Sequence, residues 1–280
     1  MKSFQRSTCY ASIIGLGLAV STGAYAQVST INSAVVVPRV FNDVPGATFT
    51  PVNAYPGSIS FTEQNVSGSG FANRDVWYYS ANSGASAYQF QNSDYFNASF
   101  GVTVTGGSPG KDIEAGFLFS NPSGNFGGDC QSLVTGSGVV VQFGGPSYYP
   151  FSPAAGGYPG PGGSVPNYTE GQTYTMGFNY VLDPNTGKAS FQYSVNGQFA
   201  ASAPGNNYFD LGGPVGSPGD FLGGYFQIQQ DPSNPTTSGE AVFSNITIVP
   251  EVPEPSMLAL LSLGILPLGW LLRRRGNRVG

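Results

Sequence analysis

The chain has 280 residues, of which only 9% are charged, with 41 glycines, 22 prolines, two cysteines and no histidine. Ten basic residues stand against fifteen acids, and six of the ten lie at the two ends, so residues 27–250 hold only Arg39, Arg74, Lys111 and Lys188 against thirteen acids. Such a domain repels nucleic acid and anionic lipid, which need clustered Lys or Arg, and the missing histidine excludes a histidine base, a charge relay and a histidine zinc site.

Residues 1–26 read as a secretory signal-peptide helix. Lys2 and Arg6 form a basic start, Ala11 to Val20 an apolar core, and Ala24 and Ala26 the small residues of a cleavage site before Gln27. A ten-residue core is too short to span a bilayer, which takes about 20 apolar residues. Cys9 leaves with the signal, so Cys130 is the one cysteine left. An internal disulfide and a cysteine zinc site are thereby excluded. Residues 27–250 are numerous enough to bury a core without crosslinks. Cys130 reads as a small buried hydrophobe, although its polar, Gly-flanked surroundings also suit a loop.

From Val76 to Val249 the governing signal is alternation of apolar and polar residues, the period of a half-buried strand. The stretches in chain order are 75–79, 96–104, 113–119, 138–143, 174–180, 189–195, 221–229 and 241–249. In "FNASFGVTV", Phe96, Ala98, Phe100, Val102 and Val104 share one face. "DPNTGK" joins the strands at 174 and 189, and Asn196-Gly197 is the pair that a two-residue type I′ hairpin needs, which predicts a three-stranded meander from Tyr174 to about Ala203. Residues 143–166, "FGGPSYYPFSPAAGGYPGPGGSVP", read as a long irregular loop, first as a disordered insertion and second as a binding loop whose Tyr148, Tyr149, Phe151 and Tyr158 could stack on sugar rings. Trp77 is expected in the core.

Many short strands, Gly-rich turns and no helical period predict an all-β antiparallel sandwich, a jelly roll. "YTMGFNYVLDPNTGKASFQYSVNGQ" and "AVFSNITIV" resemble the paired strands and the last strand of the concanavalin A-like lectin/glucanase sandwich. That resemblance implies the fold, which hosts lectins, hydrolases and structural modules alike. Glycosidases of this fold carry a Glu-x-Asp-x-Glu or Glu-x-Asp-x-x-Glu strand. Here Asp112 and Glu114 share a strand face, but Gly110 and Ala115 stand where the remaining acids belong. Two exposed acids beside a turn are the simpler account, and no catalytic residue is assigned. No metal ligand or cofactor is assigned either. Calcium stays open at "DPNTG", residues 183–187, which reads first as a hairpin turn.

The chain closes with "VPEPSMLALLSLGILPLGWLLRRR", residues 252–275. Residues 256–272 are uncharged and, as a helix rising 1.5 Å per residue, reach about 26 Å, a short transmembrane span. Arg273, Arg274 and Arg275 hold the end in the cytoplasm. This arrangement resembles the PEP-CTERM sorting signal of Gram-negative bacteria, with Val252, Pro253, Glu254 and Pro255 as its short motif. The resemblance implies an exosortase, a membrane protease-like enzyme, as partner, cleavage near Pro253–Pro255, transient anchoring in the inner membrane, and delivery to the cell surface or extracellular matrix. The expected division is therefore a signal at 1–26, a sandwich domain at 27–250 and a sorting segment at 251–280. The expected function is that of a non-catalytic surface or matrix protein, not an enzyme, with exopolysaccharide as a candidate ligand. The alternative is an extracellular carbohydrate-active enzyme, glycoside hydrolase-like, with an unrecognised site.

Overall fold

The computed structural model describes residues 28–91, 93–106, 113–120, 129–134, 139–141, 169–199, 205–210, 221–231 and 237–251. The expected signal helix, the loop at 143–166 and the transmembrane helix at 256–272 lie outside these residues. A short 3-10 turn, Val28–Thr30, leads into strands β1 (Ser33–Asn42), β2 (Thr48–Ala54), β3 (Ser58–Gln64), β4 (Ala72–Ser80), β5 (Phe96–Gly106), β6 (Ile113–Ser120) and β7 (Asp129–Val134). There follow β8 (Val139–Val141), β9 (Thr173–Leu182), β10 (Ala189–Val195), β11 (Gln198–Phe199), β12 (Phe209–Asp210), β13 (Phe221–Gln229) and β14 (Gly239–Pro250). No α-helix occurs among the described residues.

The strands form two antiparallel sheets. One is six-stranded in the order β1-β4-β13-β6-β7-β8, and the other eight-stranded in the order β11-β10-β9-β5-β14-β3-β2, with β12 paired to β10. The chain repeatedly leaves one sheet for the other, as from β4 to β5 and from β13 to β14, which is the connectivity of a jelly-roll sandwich. The expected all-β antiparallel sandwich is therefore what the chain forms.

Alternation explains the layers. Trp77 and Tyr79 of β4, Phe100 of β5, Phe117 of β6, Phe178 of β9 and Phe243 of β14 are fully or almost fully buried between the sheets. Trp77 meets Phe100 and Phe243 edge-on, with ring centroids 5.5 and 5.8 Å apart, a geometry favoured by the ring quadrupoles. Tyr79 crosses between the sheets, its hydroxyl donating to the Thr247 carbonyl at 2.9 Å. Trp77 needs room on β13: a Cβ at Gly224 would strike its indole nitrogen and lie 2.9 Å from Phe243. Asn196 and Gly197 adopt φ values of 50° and 79°, and β9, β10 and β11 form the meander this hairpin predicts.

The strands before Val76 were not anticipated from sequence. β1 is nearly continuous in apolar residues and contains Pro38, whereas β2 contains Pro51, which usually argues against a strand. β2 lies at the sheet edge, where a missing N–H is tolerated. Cys130 lies on β7 rather than in a loop.

Candidate functional site

Strand β13 is the axis of the six-stranded sheet. Its inward residues Leu222, Phe226 and Ile228 join the main core, so Phe221, Gly223, Tyr225 and Gln227 fall on the outer face by alternation. The register places Gln227 between Arg74 of β4 and Glu114 of β6, and Tyr225 between Val76 and Gly116. Four polar side chains from three strands thus meet on one surface. Arg74 Nε donates to Gln227 Oε1 at 2.8 Å, and its guanidinium lies 4.8 Å from the centroid of the Tyr225 ring. The Tyr225 hydroxyl donates to Glu114 Oε2 at 3.3 Å. Arg74 and Glu114 are half-buried, while Tyr225 and Gln227 are buried.

Below the polar group the same face carries a second, smaller apolar cluster. Val76, Leu118 and Tyr225 are fully buried there, with Val37, Val40 and Tyr78 packed around them. The cation and carboxylate therefore stand at the edge of an apolar floor, where charge interactions are screened less than on an open surface.

The inner face of β4 directly beneath holds a buried ionic clamp. Asp75, Asn73 and, from β3 of the other sheet, Glu63 are fully buried. Arg39 reaches them from a bulge in β1 between Val37 and Phe41, with φ at 57°. Its side chain pairs with Glu63 and lies 3.8 Å from Asp75 Oδ2. Its N–H donates to Asp75 Oδ1 at 2.8 Å, and Asn73 Nδ2 donates to Glu63 Oε2 at 3.2 Å. Burial pushes the Asp75 carboxyl up to about 6, against the lowering pull of the Arg39 N–H and charge. One cation between two buried acids leaves a net negative charge, which proton uptake by Asp75 relieves. The clamp ties β1, β3 and β4 together, and so fixes the strand that presents Arg74 on its other side.

Of the residues singled out in the sequence, Glu114 is part of the polar cluster, whereas Asp112 lies outside the described residues. Asp183 caps the β9–β10 hairpin: Oδ1 accepts from the Asn185 N–H and side-chain amide at 2.8 and 3.1 Å, and Oδ2 from the Thr186 hydroxyl at 3.0 Å. No group of three or more Cys, Asp or Glu suited to a metal occurs among the described residues. Ala24, Ala26, Gln27, Val252, Pro253, Glu254, Pro255, Arg273, Arg274 and Arg275 lie outside the described residues, as do Tyr148, Tyr149, Phe151 and Tyr158. Arg74, Tyr225 and Gln227 were missed. Their signal was present in "FLGGYFQIQ", where a Gln and a Tyr interrupt the outward face of an otherwise apolar strand.

No family model matches the chain, and no curated protein does. Among solved structures, the alginate lyase AlgAT5 from polysaccharide lyase family 7 is 13% identical over 73% of this chain and 82% of its own, with a TM-score of 0.42. An alginate lyase from Corynebacterium sp. is 11% identical over 78% of this chain and 94% of its own, with a TM-score of 0.45. The carbohydrate recognition domain of Emp47p is 12% identical over 78% of this chain and 95% of its own, with a TM-score of 0.41. These are likenesses of fold. The lyases among them give no support to the expectation of a non-catalytic protein that is not an enzyme, and that expectation is corrected to its alternative, a carbohydrate-active enzyme, as a proposal below.

Proposed function

We propose that the sandwich is the working part of an exported carbohydrate-active enzyme that cleaves an acidic polysaccharide outside the cell. The observation that carries this reading is the meeting of Arg74, Gln227, Tyr225 and Glu114 on one outer sheet face. A guanidinium held by an amide and an aromatic ring offers a planar fork to a uronate carboxylate. Neutralising that carboxylate makes the hydrogen on the adjacent ring carbon acidic. Glu114 is the candidate base for it, and Tyr225 positions Glu114. The electron pair released forms a carbon–carbon double bond as the glycosidic carbon–oxygen bond breaks, and the departing oxygen takes up a proton. Hydrolysis by paired carboxylates fits less well, because the register neighbours of Glu114 are Gln227 and Val134.

Residues 251–280 would serve as the sorting segment. An exosortase would recognise Pro253–Pro255 while the span holds the protein in the inner membrane and the arginines set its orientation, before release to the cell surface or matrix. The signal at 1–26 and this tail support that route. Mass spectrometry of the mature protein should find an N-terminus at Gln27 and a C-terminus near Pro253–Pro255; an intact arginine-rich tail in a strain with exosortase argues against it.

The catalytic proposal is tested by incubating the protein with polyuronates and weighing the products. Elimination yields unsaturated ends lighter by one water than the hydrolytic ones. Products carrying the full water, or no cleavage of any polyuronate by folded protein, would overturn it.

A further inference from the structure

At the other end of the same outer face the structure forms a concavity. After β4 the chain turns back on itself, and the turn is pinned from within. Asn82 Oδ1 accepts from the Ser80 hydroxyl at 2.8 Å and from the Ser86 N–H at 3.0 Å, and its amide donates to the Ser86 hydroxyl at 2.8 Å. The Tyr88 N–H donates to the Tyr79 carbonyl at 2.7 Å, and its hydroxyl to Asp94 Oδ2 at 2.9 Å. Opposite this turn stands the half-buried Phe221 of β13, its ring 5.4 Å from that of Tyr78. Between them lies a cavity of about 440 Å³, lined among others by Asn82, Ser86, Ala87, Tyr88, Gln89 and Phe221. That volume falls within the ~300–1,000 Å³ of ordinary small-molecule pockets.

The lining is chemically unlike the Arg74 end. Among the described residues that line the cavity none is charged. The one titratable group among them, the Tyr88 phenol, is pushed up by burial and by Asp94 and so stays neutral. What remains is an aromatic wall, two amides and a hydroxyl, presented by a turn whose shape is set before any ligand arrives. A carboxylate would find no cation among these described residues to offset its lost hydration. A gluco-configured hexopyranose would fit the lining: its equatorial hydroxyls leave an apolar ring face for Phe221 and meet Asn82, Ser86 and Gln89 at the edge.

We propose that this pocket is a subsite for a neutral hexose, which makes the substrate a heteropolysaccharide carrying both uronate and neutral units. Arg74 and Phe221 lie on one sheet face at opposite ends of its central strands. Arg74 stands opposite Gln227, six residues along β13 from Phe221, which at ~3.3 Å per residue separates them by roughly 20 Å. A ligand touching both is therefore an oligomer. This inference rests on the polysaccharide reading of the Arg74 cluster for its context, but the pocket can be tested alone.

The test is titration of the full chain with two probes of equal length, a neutral gluco-oligosaccharide and an oligouronate. Ala87→Trp fills the cavity without removing a packed side chain, and Gln89→Ala removes an exposed amide. Ala87→Trp should weaken the neutral probe about tenfold or more and leave the oligouronate within about twofold. Gln89→Ala should act in the same direction by a smaller factor. A neutral probe that the native chain does not bind, or that binds Ala87→Trp unchanged, overturns the proposal, as does equal weakening of both probes. Neutral binding lost in Ala87→Trp, beside no cleavage of any polyuronate, would uphold the pocket and sink the acidic-polysaccharide reading. Polyuronate cleavage with no neutral binding would do the reverse.

Discussion

The two sheets share one core but turn very different backs to the outside. On the eight-stranded sheet the outward positions of β5, β9 and β14 include Ser99, Thr103, Thr173 and Thr247, which pair across strands. Thr103 and Thr173 hydroxyl oxygens are 2.6 Å apart, and those of Ser99 and Thr247 2.8 Å. Small hydroxyl residues suit a pleated surface and satisfy themselves there. On the six-stranded sheet the equivalent positions hold Arg74, Glu114, Tyr225 and Gln227 above a buried apolar floor. A sheet back needs none of that to be stable or soluble. Partly buried charge set against aromatic surface is the feature on which the proposed chemistry rests.

The strongest way to break the comparison is to destroy what the two backs have in common. Trp77→Ala should lower unfolding free energy by about 3–5 kcal/mol, measured by denaturant titration, because Trp77 contacts both sheets. Loss of activity without that loss of stability would mean that the core does not unite them. Arg74→Ala should raise KM for an oligouronate about tenfold or more, since hydrogen bonds to charged groups contribute roughly 1.5–3 kcal/mol. Circular dichroism should show the fold intact.

The clamp beneath Arg74 predicts a pH dependence of definite sign. The Asp75 carboxyl is pushed up to about 6 when folded, against about 3.9 for an aspartate in the unfolded chain. Between these values the folded protein holds more protons, so the contribution of Asp75 to stability falls as pH rises through that window. Relative to the native chain, Asp75→Asn should therefore be more stable at pH 7 than at pH 4, by about 1–3 kcal/mol. A difference that does not vary with pH would place the Asp75 carboxyl at its ordinary value. The smallest effect belongs to the other back. Thr103→Ala should change stability by no more than about 0.5 kcal/mol and leave turnover untouched.

The fold was largely written in the sequence, because alternation is a direct consequence of the pleat. "FNASFGVTV" became β5 with Phe96, Ala98, Phe100, Val102 and Val104 buried, and Asn196-Gly197 made its turn. β1 to β3 were less readable: Pro38 and Pro51 mimic breaks, and Glu63, polar in sequence, is fully buried because Arg39 reaches it from a bulge. The candidate site was less readable still. Arg74, Glu114, Tyr225 and Gln227 are far apart in the chain, and only the register of β13 against β4 and β6 makes them neighbours. Glu114 alone stood out, and without its partners it read as a surface acid.

Whether the six-stranded back is catalytic is answered most directly by one measurement: the rate at which unsaturated ends appear from a polyuronate, for the native chain and for Glu114→Gln. If Glu114 is the base, the native chain turns over and Glu114→Gln loses about 100-fold or more in kcat with its stability kept. A Glu114→Gln protein that cleaves at the native rate would contradict the account.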